Sequence, residues 1–273
     1  MKFNTVLTLA FASLSTVTAV HAETIYNCIP GTLAGSYPSL AYQATQSAQI
    51  GDRVTFGGTN RQLSTATFTM VTWASLSGTS NGGPNQPGFA NFAGNTSDNS
   101  GYMHSFTLNI FEAGTGYQHG ALLGSLTVDQ FIPYRPEGWS FNGYAFNMTF
   151  DLTSLGINAP DSIVYGLATN TQSWGANPTG DGNAPYNALN FGLNTAAGGG
   201  VTAGSTDLDS FFWQTATAGW YTDGGANGVN TFRLDDNWTG YNPMARFEAV
   251  PAPGALALLG LAGLTRSRRR RGE

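Results

Sequence analysis

Three stretches of this chain place a large apolar side chain at every second residue. Phe106, Leu108 and Ile110 do so within 105–112, Tyr144, Phe146, Met148 and Phe150 within 143–152, and Leu189, Phe191 and Leu193 within 186–194. A period of two gathers those side chains on one face of an extended strand, whereas a helix would scatter them around its axis. Shorter strand-like runs lie at 53–56, 64–73, 122–131, 162–168, 210–214, 231–234 and 244–249. About ten strands separated by Gly-, Asn- and Pro-rich turns predict an all-β fold: a two-sheet antiparallel β-sandwich of jelly-roll type. A single helical turn is expected at 153–155.

The two ends do not share this pattern. Lys2 precedes an uncharged run with the apolar core Val6-Leu7-Thr8-Leu9-Ala10-Phe11-Ala12, closing on Val20-His21-Ala22. One positive charge, a short apolar segment and small residues form the layout of a secretory signal, with cleavage expected after Ala22. At the other end Val250-Pro251-Ala252-Pro253 leads into the apolar stretch 254–264, followed by Arg266, Arg268, Arg269, Arg270 and Arg271. A bilayer-spanning helix needs about 20 apolar residues, so this short stretch suits a transient anchor, with the arginines held on the cytoplasmic side. The prolines separate it from the body. The chain therefore divides into a signal at 1–22, one β-sandwich domain at 23–249 and a sorting tail at 250–273.

This tail resembles the PEP-CTERM class of sorting signals, with Ala252 standing where the motif name has Glu. The resemblance covers about the last 25 residues. It rests on Val250, Pro251, Pro253, the apolar stretch and Arg268 to Arg271. It implies an exported protein, a membrane enzyme of the exosortase type as partner, and a cell-surface or extracellular-matrix destination. The same kind of tail is also called an ice-binding protein C-terminal domain, a description of the tail and not of the body. The body resembles an uncharacterised family of secreted bacterial β-sandwich proteins. That likeness rests on 51–56 with Arg61 and Leu63, on 132–136, on 164–171 and on 220–225, and it implies no catalytic residues.

Between the two ends the body has no lysine, and fifteen carboxylates face five arginines, for a net charge of roughly −10. Such a surface repels nucleic acid and anionic membranes. Cys28 is the one cysteine, so no disulfide can form within the chain, and a buried, inert thiol is expected.

Catalytic signals are sparse. His104 and His119 are read as exposed bystanders, and no nucleophile elbow is present. Glu112, Glu137 and Glu248 stand singly, short of the paired carboxylates that glycoside hydrolysis needs. Asp207 and Asp209, two residues apart, are the candidate Ca²⁺ ligands, with Asp181 and Asp223 as further turn carboxylates, while Asp235-Asp236 is read as a solvated turn. Thr65, Thr67 and Thr69 are read as a solvent-facing row on one strand. Aromatic residues near turns supply the ligand-binding candidates: Trp174, Tyr186, Trp220 and Tyr221, with Trp238 and Tyr241 nearby. The expectation is an exported, non-enzymatic sandwich that contacts polysaccharide. The alternatives are a carbohydrate-active hydrolase or lyase on the same scaffold, and a purely structural matrix protein.

Overall fold

Alternation in sequence becomes alternation in burial. On the strand Gly101–Glu112, Phe106, Leu108 and Ile110 are fully buried, while Ser105, Thr107 and Asn109 face the other way and keep some exposure. The computed structural model describes residues 21–33, 37–75, 100–136, 143–195, 200–207, 209–238 and 240–251. Its strands are β1 (Glu23–Asn27), β2 (Ser39–Ala41), β3 (Ser47–Thr55), β4 (Gln62–Thr72), β5 (Gly101–Glu112), β6 (Leu122–Pro133) and β7 (Tyr144–Asp151). They continue with β8 (Ser162–Thr169), β9 (Leu189–Thr195), β10 (Ser205–Thr206), β11 (Ser210–Thr215), β12 (Arg233–Asp236), β13 (Tyr241–Pro243) and β14 (Ala245–Val250).

These strands form two antiparallel sheets packed face to face. The first runs β1-β14-β4-β9-β13, with β7 along β4 and β2 along β9. Residues 65–68 of β4 pair with β14 and β7 at once, and residues 70–72 pair with β7 and β9. A strand has only two edges, so β14 and β9 share one edge of β4 and β7 takes the other. The second sheet runs β12-β11-β3-β8-β5-β6, with β10 beside the end of β3.

Aromatic rings fill the space between the sheets. Phe68 on β4 meets Phe150, Phe191 and Phe247 edge-on at 5.7, 6.0 and 6.0 Å, and meets Tyr165 of the opposite sheet at 5.4 Å. Edge-to-face contacts of this kind add about 0.5–1.5 kcal/mol each beyond the area they bury.

A second, smaller apolar cluster lies on the outer face of the second sheet, where Val164, Phe212, Phe232 and Leu234 pack with Phe111. The β5–β6 connection folds over it: the Leu234 amide donates to the Tyr117 carbonyl at 2.8 Å, and His119 lies 4.0 Å from Phe111.

The all-β sandwich and the turn at Thr153–Leu155 agree with the sequence reading. Differences occur where alternation is weak or absent. The short strands β1, β2, β10 and β13 carry too few apolar residues to show a period. Tyr186 belongs to a 3₁₀ turn, Pro185–Ala188, ahead of β9. The Thr65-Thr67-Thr69 row does not face solvent. Thr67 and Thr69 are buried and bond across to Thr149 at 3.0 Å and Asn147 at 2.7 Å, and Thr65 donates to Glu248 at 2.8 Å. Among the described residues no helix is long and apolar enough to cross a membrane. Ala22 and Val250–Pro251 are described, whereas Pro253, Arg268, Arg269, Arg270 and Arg271 lie outside the described residues.

Candidate functional site

Register across the second sheet places polar side chains in rows. Gln214, Gln49, Ala168, Thr107 and Thr127 stand opposite one another on β11, β3, β8, β5 and β6. The next row is Phe212, Gly51, Gly166, Asn109 and Ser125. The first row is polar apart from Ala168, and in the second two glycines leave the sheet low. A register shift beside Gln214 and Thr215 lets Ala48 and Gln49 both line the outer face, as a bulge does when it re-aims a side chain.

Two loops raise walls on this floor. One is the turn after β8, which carries Ser173, Trp174, Gly175 and Ala176. The Thr171 hydroxyl accepts from the Trp174 amide at 3.1 Å, Gln43 accepts from the Ser173 amide at 3.3 Å, and Asn170 accepts from the Asn177 amide at 2.9 Å. Three bonds of this kind hold the partly exposed indole in place. The other wall is Gln46, Ala216 and Asn230. Gln46 accepts from the Thr217 hydroxyl, and Gln214 donates to the Asn230 carbonyl at 3.1 Å. The result is a groove of about 350 Å³, within the range of ~300–1,000 Å³ typical of small-molecule sites.

The chemistry of the lining is uniform. It consists of amides, hydroxyls, small residues and the Trp174 indole, with no titratable side chain. At its centre Gln49 is only 7% exposed. Its Oε1 accepts from Asn109 Nδ2 at 3.3 Å, while its Nε2 has no hydrogen-bond partner. That nitrogen is closed off from solvent, lying against Gly166 beside the Phe232 ring, and an unmade buried donor costs about 1–3 kcal/mol. Gly166 makes this pose possible, since a Cβ there would lie 1.8 Å from Gln49 Nε2 and 2.6 Å from the Phe232 ring.

Of the other aromatic candidates, Trp220 is 42% exposed on the segment after Ala216, while Tyr186 and Tyr221 are buried and cannot serve as stacking platforms. The Tyr186 ring stacks on His104 at 4.5 Å and 9°. Tyr221 lies under the Arg233 guanidinium at 3.8 Å and 5.6 Å from Trp213. Trp238 is packed against the core and Tyr241 is exposed.

The titratable groups have structural partners. His104 is not an exposed bystander: its Nε2 lies 2.9 Å from the Asn170 carbonyl and 2.8 Å from the Thr169 hydroxyl. A carbonyl only accepts, so Nε2 carries the proton. Burial pulls this imidazole down to about 4. His119 packs on Phe111 and Phe232. Asp235 is not in a solvated turn but fully buried on β12. It accepts from the indoles of Trp213 at 3.2 Å and Trp238 at 2.8 Å and from Thr222. Asp223 pairs with the buried Arg233 at 2.8 Å. Against the effect of burial, this pair and the Asn227 and Gly225 donors hold it at about 2.

Asp52 points into the sandwich, where burial pushes its carboxyl well above the ordinary value despite bonds from Thr206 at 2.8 Å and the Arg53 amide at 2.7 Å. Cys28 is a buried free thiol, raised to about 11 chiefly by burial. Asp207 and Asp209 are exposed, and Asp207 Oδ1 is occupied by the Asp209 amide at 3.0 Å. Asp181 caps its own turn by accepting from the Asn183 amide at 2.9 Å. Among the described residues no three His, Cys, Asp or Glu side chains converge as a metal site.

Of the residues singled out in the sequence, Trp174 lines this groove; the amides around it are not among them. Glutamines on separate strands show no pattern until β3, β5 and β11 are laid side by side.

No family model matches the chain, and no curated protein matches it. Among solved structures it is similar at 12% identity to a chain of the T13 IBDV viral particle. The match covers 90% of this chain and 45% of that chain, so this chain spans less than half of the other's length. The TM-score is 0.25, a likeness too weak to support an argument about fold or function.

Proposed function

We propose that this is an exported, non-enzymatic protein of the cell surface or extracellular matrix whose body binds polysaccharide in the Trp174 groove. Its signal is cut after Ala22, and its tail from Val250 onward is handled by a membrane enzyme of the exosortase type. The observation that carries the binding reading is the partly exposed Trp174 indole flanking an uncharged groove lined by amides and hydroxyls. Sugars present hydroxyls to amides and an apolar ring face to an indole, and this lining offers both. Hydrolysis of a glycoside needs an acid and a base or nucleophile in the cleft, and a lining of amides and hydroxyls favours a binder over a hydrolase.

The test is a glycan-array experiment on the purified full chain, with Gln49→Ala and Trp174→Ala alongside. Saturable binding to a glycan class, weakened about tenfold by either substitution, is the expected result. Absence of binding to any glycan, or binding indifferent to both substitutions, would overturn the assignment. Sorting is tested separately by replacing Pro251 and Pro253 with alanine, which should trap the protein at the inner membrane. Unaltered localisation would argue against the tail as a signal.

A further inference from the structure

The geometry points to a ligand of one electrostatic class: the groove selects uncharged polysaccharide, over floor amides that a one-way hydrogen-bond relay from Ser125 to Gln49 holds in place. This rests on the binding reading above and narrows its ligand.

The relay has a direction. Ser125 Oγ donates to Asn109 Oδ1 at 2.7 Å, and Asn109 Nδ2 donates to Gln49 Oε1 at 3.3 Å. Each amide spends its oxygen inward, toward β6, so the chain terminates in the Gln49 amino group. Linked hydrogen bonds polarise one another in the same sense and fix the Asn109 and Gln49 amides along the floor, with Gln49 Nε2 enclosed against Gly166 beside the Phe232 ring. Thr107 and Thr127, bonded at 2.8 Å beside it, extend the polar row toward β6.

Amides and hydroxyls on the floor can meet a neutral or an anionic chain, so hydrogen bonding alone does not choose between them. The surrounding charge does. The lining holds no cation, and Arg53, on the same face of β3, is turned elsewhere. Its guanidinium lies 5.4 Å from the Phe212 ring and donates to the Gly116 carbonyl at 3.2 Å. An anion entering the groove would shed water without gaining a counter-charge. At longer range the acidic body, roughly −10 between residues 23 and 249, repels a polyanion before contact. A neutral chain meets neither obstacle.

The test is isothermal titration of the full chain with neutral polymers (dextran, galactomannan, xylan) and anionic polymers (alginate, polygalacturonate, hyaluronan) at low and high salt. The expected result is binding to a neutral polymer with a Kd that changes less than about twofold with salt. Gln49→Ala and Gln49→Glu should each weaken it about tenfold, the first by loosening the floor and the second by placing a negative charge on it. Gly166→Ala should weaken it too, by displacing the Gln49 amide. Tighter, salt-sensitive binding of an anionic polymer that Gln49→Ala also weakens would overturn the neutral selectivity while leaving the groove as the site. Binding to no polymer, or binding that neither Gln49→Ala nor Trp174→Ala alters, would remove the groove reading and this inference together.

Discussion

Glu23, the first residue of β1, stands directly opposite Ala249 near the end of β14 on adjacent antiparallel strands. The two terminal segments of the body therefore leave it side by side. β14 lies between β1 and β4, so the last strand inserts into the sheet instead of adding to its edge. A membrane-bound tail would hold the body at the pole where its first strand also begins.

Phe247 is the side chain through which β14 locks the core. It is fully buried, 6.0 Å from Phe68, 5.3 Å from Tyr165 and 5.7 Å from Phe56. Phe247→Ala should cost about 3–5 kcal/mol from lost burial and the cavity left behind. Urea denaturation should show a lower midpoint at unchanged slope, and a loss below about 1 kcal/mol would mean that β14 is not integral to the core.

Asp52 should make the protein more stable in mild acid than in base. Its folded pKa lies above its unfolded value, so its contribution is complete below about pH 4 and declines as pH rises toward the folded pKa. Asp52→Asn removes the ionisation and keeps the bonding pattern, because Thr206 Oγ1, also 3.0 Å from the Arg53 carbonyl, can turn its proton to that carbonyl and accept from the new amide. The variant should be more stable than the parent at about pH 8 and indistinguishable from it at about pH 4. Parallel stability curves at both pH values would show that Asp52 does not titrate in the core.

His104 acts in the opposite sense. Its folded pKa is lowered to about 4 from 6.5, so the unfolded chain takes up the proton first and stability falls as pH drops from about 6.5 to about 4. The loss amounts to at most about 3 kcal/mol. His104→Gln should flatten this part of the pH–stability curve. An unchanged slope would assign the acid sensitivity to other groups.

Arg233 is fully buried, with Asp223 as its carboxylate partner and the Tyr221 ring beneath it. Asp223→Ala strands that charge and should cost roughly 3–5 kcal/mol, whereas a double variant with Arg233→Met should recover much of the loss. If the double variant is no more stable than Asp223→Ala, the penalty comes from the loop that Asp223 caps and not from the stranded charge.

Residue types and their spacing were enough to determine the fold class. Phe106, Leu108 and Ile110 on β5, or Met148 and Phe150 on β7, have one buried face whatever their neighbours are, because a strand's own period of two decides it. The buried, inert state of Cys28 and the turn at Thr153–Leu155 were legible for similar local reasons. The site was not. Gln49, Asn109 and Gln214 are ordinary polar residues in sequence. They become a groove only when β11, β3, β8 and β5 are ordered in that register and Gly166 leaves room for an amide to lie flat. The same holds for Asp235, which reads as a solvated turn residue until Trp213 and Trp238 close over it, and for His104, which gains its partner ring only when Tyr186 folds across. Local period is a property of a few consecutive bonds, whereas an environment is made by atoms far apart in the chain, and only the packed sheets bring those together.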